Sequence, residues 1–122
     1  MSDSARFNMI ETQIRPSNVT DPRIFAAMNA VAREKFVPSA ARALAYADVP
    51  VAVAPGRYLL DPRSFAKLVQ LADVGPDDRV LDVGCATGYS SAVLARLATR
   101  TKSASCSSAT TSPASRASTA LE

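Results

Sequence analysis

Histidine and tryptophan are missing from this chain, and no stretch of it stays apolar for long. Without histidine, nucleophilic triads with an imidazole base and His-ligated metal sites are excluded. No apolar run approaches the ~20 residues that cross a bilayer. The opening Met1-Ser2-Asp3-Ser4-Ala5-Arg6 lacks the apolar core of a secretory leader. The two cysteines, Cys85 and Cys106, match no metal spacing and build no disulfide framework. A cytoplasmic chain in a reducing compartment, with no membrane partner, is expected from these absences. Charge of one sign is scarce too: residues 1–83 hold ten Lys/Arg and ten Asp/Glu. The excess behind the net charge of +3 is Arg96, Arg100, Lys102 and Arg116, offset only by Glu122. Four scattered cations do not make the clustered basic surface that nucleic acid requires, so no nucleic-acid partner is expected.

Glycine is also rare, with four in 122 residues, yet Gly84 and Gly88 sit in one short stretch. Before them, Arg79-Val80-Leu81-Asp82-Val83 has the length and β-branched content of a buried strand. After them, Ala92, Val93, Leu94 and Leu97 recur at helical spacing, predicting a helix over 86–98. Strand, small-residue loop, helix is the arrangement that brings backbone N–H groups close to a polar ligand. A dinucleotide fingerprint would need a third glycine where Tyr89 stands, and an acid about 20 residues further on. A phosphate-binding P-loop would need a lysine after Gly88. The wording here is Asp82-x-Gly84-x-Ala86-x-Gly88, which resembles the S-adenosylmethionine loop of class I methyltransferases. That resemblance implies S-adenosyl-L-methionine as cofactor. Asp82 would receive its polar amino-acid end, and the main chain at Gly84, Cys85, Ala86 and Gly88 would shape the pocket. Tyr89 would either cover the cofactor or simply pack. Cys85 has no histidine to activate it as a nucleophile.

The rest of the chain reads as helices. Phe7, Ile10 and Ile14 predict an amphipathic helix over 4–14, stopped by Arg15-Pro16. Asp21-Pro22 opens a second helix, with Ile24, Phe25, Met28 and Val31 on one face, running to about Arg33-Glu34. Ser39 is placed to cap a short helix through Ala45. Asp61-Pro62 opens another, carrying Phe65, Leu68, Val69 and Ala72. Asp77 and Asp78 are adjacent carboxylates in a turn after Gly75-Pro76, expected to be solvated rather than catalytic.

Several short segments align in order: Met9-Ile10-Glu11-Thr12-Gln13-Ile14-Arg15, Arg33-Glu34-Lys35-Phe36-Val37-Pro38, Ala45-Tyr46-Ala47-Asp48, Gly56 to Pro62, then the loop. Together they resemble the N-terminal region of the protein-L-isoaspartate O-methyltransferases over about residues 6–99. The resemblance implies methyl transfer to a carboxylate of damaged proteins, hence a protein or peptide substrate. In that family the Gly56–Pro62 segment carries a serine counted as catalytic; aligned on Gly56 and Pro62, its position here is Leu60, so no catalytic residue is assigned. Leucine neither donates nor accepts a hydrogen bond. A methyltransferase acting on a less polar acceptor is therefore one alternative, and a non-catalytic relic is another.

From Arg100 to Glu122, sixteen of 23 residues are Ser, Thr or Ala, too few apolar groups to offset ordering entropy. There the resemblance places a second strand ending in an acid that holds the ribose, yet no carboxylate lies between Val83 and Leu121. The switch predicts a reading frame lost near residues 99–101, or else a natural polar tail. The fold class expected is α/β: an N-terminal helical cap, then the first βα unit of a Rossmann-like methyltransferase fold, truncated, with a disordered C-terminal tail. The divisions expected are 1–75 for the cap and lead-in helix, 76–99 for the strand, loop and helix, and 100–122 for the tail. With 34 residues after Gly88, against βαβ units of roughly 30 residues or more, a complete doubly wound sheet does not fit. One parallel strand with two bare edges predicts a partly ordered chain. Nothing in the composition decides the oligomeric state.

Overall fold

Two aspartate–proline pairs set the helical layer. In the computed structural model, which describes residues 2–104, helix α2 (Pro22–Ala30) is capped by Asp21, whose carboxylate accepts from the Arg23 backbone N–H at 2.9 Å. Asp61 does the same for α3 (Pro62–Ala72), accepting from the Ser64 N–H at 2.9 Å. Each satisfies an N–H that the helix itself cannot, while proline occupies the position where a missing N–H costs nothing. Helix α1 (Ser2–Met9) passes into a π turn over Ile10–Ile14 and a 3₁₀ turn over Arg15–Ser17, ending at Asn18 in the left-handed region.

The apolar spacing seen in the sequence is in large part the spacing of the core, but Phe7, Leu68 and Ala72, expected on the apolar faces, are exposed. Met9, Ile10, Ile14, Ile24, Ala27, Met28, Phe65, Ala66 and Val69 are buried together. Burying the larger of these side chains stabilises by roughly 1.5–3 kcal/mol each against leaving them in water. Two boundaries differ from expectation. Helix α2 stops at Ala30, because Val31 is extended; residues Arg33–Phe36 form a separate 3₁₀ turn that carries the Arg33 side chain inward. The Ser39–Leu44 turn is also 3₁₀, with Pro38 at its cap position and no side-chain cap from Ser39.

Between these turns and α3 lies a hairpin that the apolar pattern did not announce: β1 (Val51–Ala54) and β2 (Arg57–Leu59), antiparallel with an irregular register. Its turn passes through Pro55 and Gly56, and Gly56 has φ +67°, a conformation glycine adopts without Cβ strain. Strands of four and three residues leave too short a trace for alternation to be read.

The C-terminal part is a βαβ unit: β3 (Arg79–Val83), α4 (Tyr89–Leu94) and β4 (Arg100–Ala104). β3 and β4 pair in parallel, from Arg79 beside Arg100 to Val83 beside Ala104. Pro76 O accepts from Thr99 N at 2.8 Å, aligning the start of β4 with the start of β3. The expected helix over 86–98 is shorter, since residues 86–88 are loop and 95–98 are turns.

β4 corrects the tail boundary. Residues 100–104, expected to begin a patternless tail, are a strand, and β3 does not stand alone. Ladder hydrogen bonds come from the backbone, so a Ser- and Thr-containing run pairs without apolar side chains. Thr101 and Ser103 turn toward the core side while Arg100, Lys102 and Ala104 face out. The change near residues 99–101 therefore is not a loss of fold at that point. The disordered tail and altered reading frame expected beyond it, and Cys106, fall on residues 105–122, outside the described residues.

Candidate functional site

Three left-handed residues in five positions shape the loop after β3: Gly84 at φ +76°, Ala86 at +51° and Gly88 at +97°. Gly84 has open space where a Cβ would stand. Ala86 adopts this conformation despite its Cβ, at a cost of roughly 1–2 kcal/mol. Such a value points to a backbone path held by its surroundings. The loop is anchored at both ends. Gly84 N donates to Ala104 O at 2.6 Å, across to the end of β4, and Gly88 N donates to Cys85 O at 2.9 Å.

Asp82, inward on β3, is held by two hydroxyls from the start of α4. Ser90 Oγ donates to Asp82 Oδ2 at 2.5 Å and Ser91 Oγ to the same oxygen at 2.9 Å. Both hydroxyls fall on one oxygen, which orients the carboxylate. The cap position of α4 is Gly88, and no side chain fills it. The Ser90-Ser91 pair is a sequence signal of another kind: two hydroxyls eight and nine residues beyond a strand acid.

A cleft of about 330 Å³ opens beside this loop, at the lower end of the roughly 300–1,000 Å³ of small-molecule sites. Asp82, Gly84, Cys85, Ala86 and Ser90 form one wall. The other comes from Tyr58, Leu59 and Leu60 after the hairpin and from Phe65, Leu68, Val69 and Ala72 on α3. So the structure brings Leu60 and the loop, 22 residues or more apart in sequence, to the same cavity. Gly88 and Tyr89 do not line it.

Tyr89 is fully buried, its ring edge-on to Phe36 at 5.8 Å and tilted against Phe65 at 5.3 Å. Of its two expected placements, over the cofactor or in the packing, the structure has the second. Burial pushes its phenol above the usual value despite the nearby Arg33 charge. Cys85 is a free, half-buried thiol. Asp78 closes its own turn, accepting from Gly75 N at 2.7 Å. Among the described residues no cluster of acids, cysteines or histidines is arranged to hold a metal.

The sequence model of the protein-L-isoaspartate(D-aspartate) O-methyltransferases matches residues 4–110. The chain belongs to this family. It is 40% identical over 100 residues to a protein-L-isoaspartate O-methyltransferase of Methylorubrum populi, covering 82% of this chain and 47% of that one. Against an enzyme of that name from Aeropyrum pernix it is 41% identical over 95 residues, covering 78% and 36%. A Plasmodium falciparum protein-L-isoaspartate O-methyltransferase, solved with S-adenosyl-L-homocysteine, superposes with TM-score 0.58 at 26% identity, covering 77% of this chain and 40% of that one. A second protein-L-isoaspartate O-methyltransferase structure, at 22% identity and TM-score 0.66 over 88% of this chain and 34% of that one, shares the fold. The chain thus spans less than half the length of these family members, and the Rossmann-like α/β architecture of the family is present in it as helical cap and first βαβ unit.

Proposed function

We propose that this chain is the donor-binding half of a protein carboxyl methyltransferase, taking S-adenosyl-L-methionine in the cleft beside Asp82. The observation that carries the reading is the cleft itself, in which the oriented Asp82 carboxylate and the Gly84–Ala86 backbone face the Leu60 segment. The S-adenosyl-L-homocysteine held by the Plasmodium falciparum relative supports it. The residues present fit the amino-acid end of the donor: Asp82 offers a carboxylate to an ammonium, and Gly84 leaves room for close approach of the main chain. Cys85 and Ala86 line the same wall, while Gly88 shapes the loop and Tyr89 supports it from the core. The bound donor supplies an already activated methyl group. What the chain contributes is position: an oriented carboxylate, a held loop and an apolar wall of Leu60, Phe65 and Leu68.

The acceptor, on this reading, is a carboxylate of an isoaspartyl protein or peptide, and the setting is the cytoplasm, where a free Cys85 stays reduced. Leu60 favours a second reading, in which the acceptor is less polar or the isoaspartyl reaction is lost, because its side chain offers a substrate carboxylate nothing. Calorimetric titration of the full chain with S-adenosyl-L-homocysteine tests the donor site. Binding that disappears in Asp82→Ala supports it, and no heat with the unaltered chain overturns it. Methyl incorporation into an isoaspartyl peptide, compared between the unaltered chain and Leu60→Ser, separates the acceptors.

A further inference from the structure

Arg33 is the largest fully buried side chain among the described residues, and no carboxylate forms an ion pair with it there. Its guanidinium is spent on main chain. Nε donates to Ala45 O at 2.6 Å and Nη2 to Leu60 O at 2.6 Å. Its Cζ lies 4.9 Å from the centre of the Tyr89 ring. Nη1 and the Tyr89 hydroxyl are both buried without a hydrogen-bond partner. Burial pulls the guanidinium below its usual value, as expected for a cation taken out of water.

A methionine of similar length would fill this space without that desolvation cost. What the fork alone supplies is two carbonyls held in a fixed relation by one rigid plane. One of them belongs to Leu60, whose side chain walls the cleft. The ring beneath the plane is Tyr89, the first residue of α4 after the glycine loop, and it packs on Phe65 of the other wall. Arg33 therefore holds the Leu60 wall directly and reaches the glycine loop only through Tyr89, which lies behind the cleft.

We propose that Arg33 is a positioning residue for the donor cleft, setting the gap between the Leu60 wall and the glycine loop by gripping Leu60 O while stacking on Tyr89. This rests on the cleft being the donor site. It assigns the Arg33-Glu34-Lys35-Phe36 turn a role in ligand affinity at a distance from the ligand, rather than in packing alone.

The test compares Arg33→Met with Met28→Ala, a core truncation away from the cleft, at a temperature where melts show both chains folded. Arg33→Met is expected to weaken S-adenosyl-L-homocysteine binding by roughly tenfold, the size of one lost charge-assisted hydrogen bond. It is also expected to raise amide hydrogen exchange at Leu59, Leu60 and Asp61. Met28→Ala is expected to do neither. Equal affinity in Arg33→Met and Met28→Ala, or unchanged exchange at Leu59 to Asp61, overturns the proposal. If Arg33→Met does not fold, Arg33→Lys decides: an ammonium cannot grip both carbonyls, so affinity equal to the unaltered chain overturns it and a clear loss supports it. If the unaltered chain binds no S-adenosyl-L-homocysteine, the donor reading fails by itself, and the exchange at Leu59 to Asp61 still reports whether Arg33 holds the wall.

Discussion

Met28 and Leu81 are apolar side chains of similar size in opposite situations. Met28 is fully buried between helices, while Leu81, in the middle of β3, is 66% exposed, and its strand neighbour Val83 is 65% exposed. The helical layer closes on itself: α1, α2 and α3 share one cluster that also takes in Tyr89 and Val93 of α4. Among the described residues the two-stranded sheet is covered on one face only. Val80, Asp82, Thr101 and Ser103 turn inward, and the outer face carries Leu81 and Val83 with Arg79, Arg100 and Lys102. All-parallel sheets in complete domains have both faces covered. The chain matches less than half the length of its relatives, and the difference between its two regions is where that shows. The helical layer has a continuous core although Phe7, Leu68 and Leu71 stay exposed on it, and the sheet is covered only on the side that holds the loop.

The largest way to break the contrast is to cut into the closed layer. Met28→Ala should destabilise by about 2–5 kcal/mol, the range for emptying a packed core site. Urea melts with an unchanged slope would measure it. A loss below about 1 kcal/mol would mean the helical layer is no better packed than the sheet. Next in size is the loop between the regions. Gly88, at φ +97°, lies where an L side chain is strained. Gly88→Ala should cost about 1–2 kcal/mol, against little for Ala86→Gly, where relief of strain and the entropy of glycine oppose each other.

The helix caps come third. Asp61→Ala should cost roughly 1 kcal/mol through the lost bond to Ser64 N. Asp21 and Asp61 both titrate below the usual 3.8. The cause at Asp21 is the hydrogen bonds from Arg23; at Asp61 burial pushes upward, and the hydrogen bonds from Ser64 outweigh it. A carboxyl lowered in the folded state stabilises above its unfolded value and loses that contribution as pH falls through the folded one. Melting temperature should therefore drop as pH is taken below about 4, the unfolded carboxylate value. Asp61→Asn, which still caps, should make that drop shallower. An unchanged acid slope in the variant would remove Asp61 from the account.

Much of this was legible because local physics wrote it. The two Asp-Pro openings became capped helices, and Ile10, Ile14, Ile24, Met28, Phe65 and Val69 became core, while Phe7, Leu68 and Ala72 did not. Residues 79–88 became strand and left-handed loop, but the strand expected to be buried leaves Leu81 and Val83 exposed. What escaped was set at long range. Arg33 stood at the expected end of a helix that stops three residues earlier, and its bonds to the Ala45 and Leu60 carbonyls, 12 and 27 residues away, could not be read locally. Asp82 was visible as a candidate, but the Ser90 and Ser91 hydroxyls that aim it were not. β4 was misread because composition predicts burial, whereas a strand beside β3 needs only backbone groups in register. The hairpin over 51–59 was too short for alternation to stand out from its proline and glycine.

The smallest expected effect sharpens the comparison most. Leu81→Lys replaces a large apolar residue in a strand, a change that in a complete sheet would bury an unpaired charge and cost several kcal/mol. Here the side chain already stands in water, so the change should stay within about 0.5 kcal/mol, as for other surface positions. Melts of Leu81→Lys beside Met28→Ala measure both regions on one scale. A cost for Leu81→Lys approaching that of Met28→Ala would require a cover on the outer face of β3. With that result the sheet would no longer be the open half of this molecule.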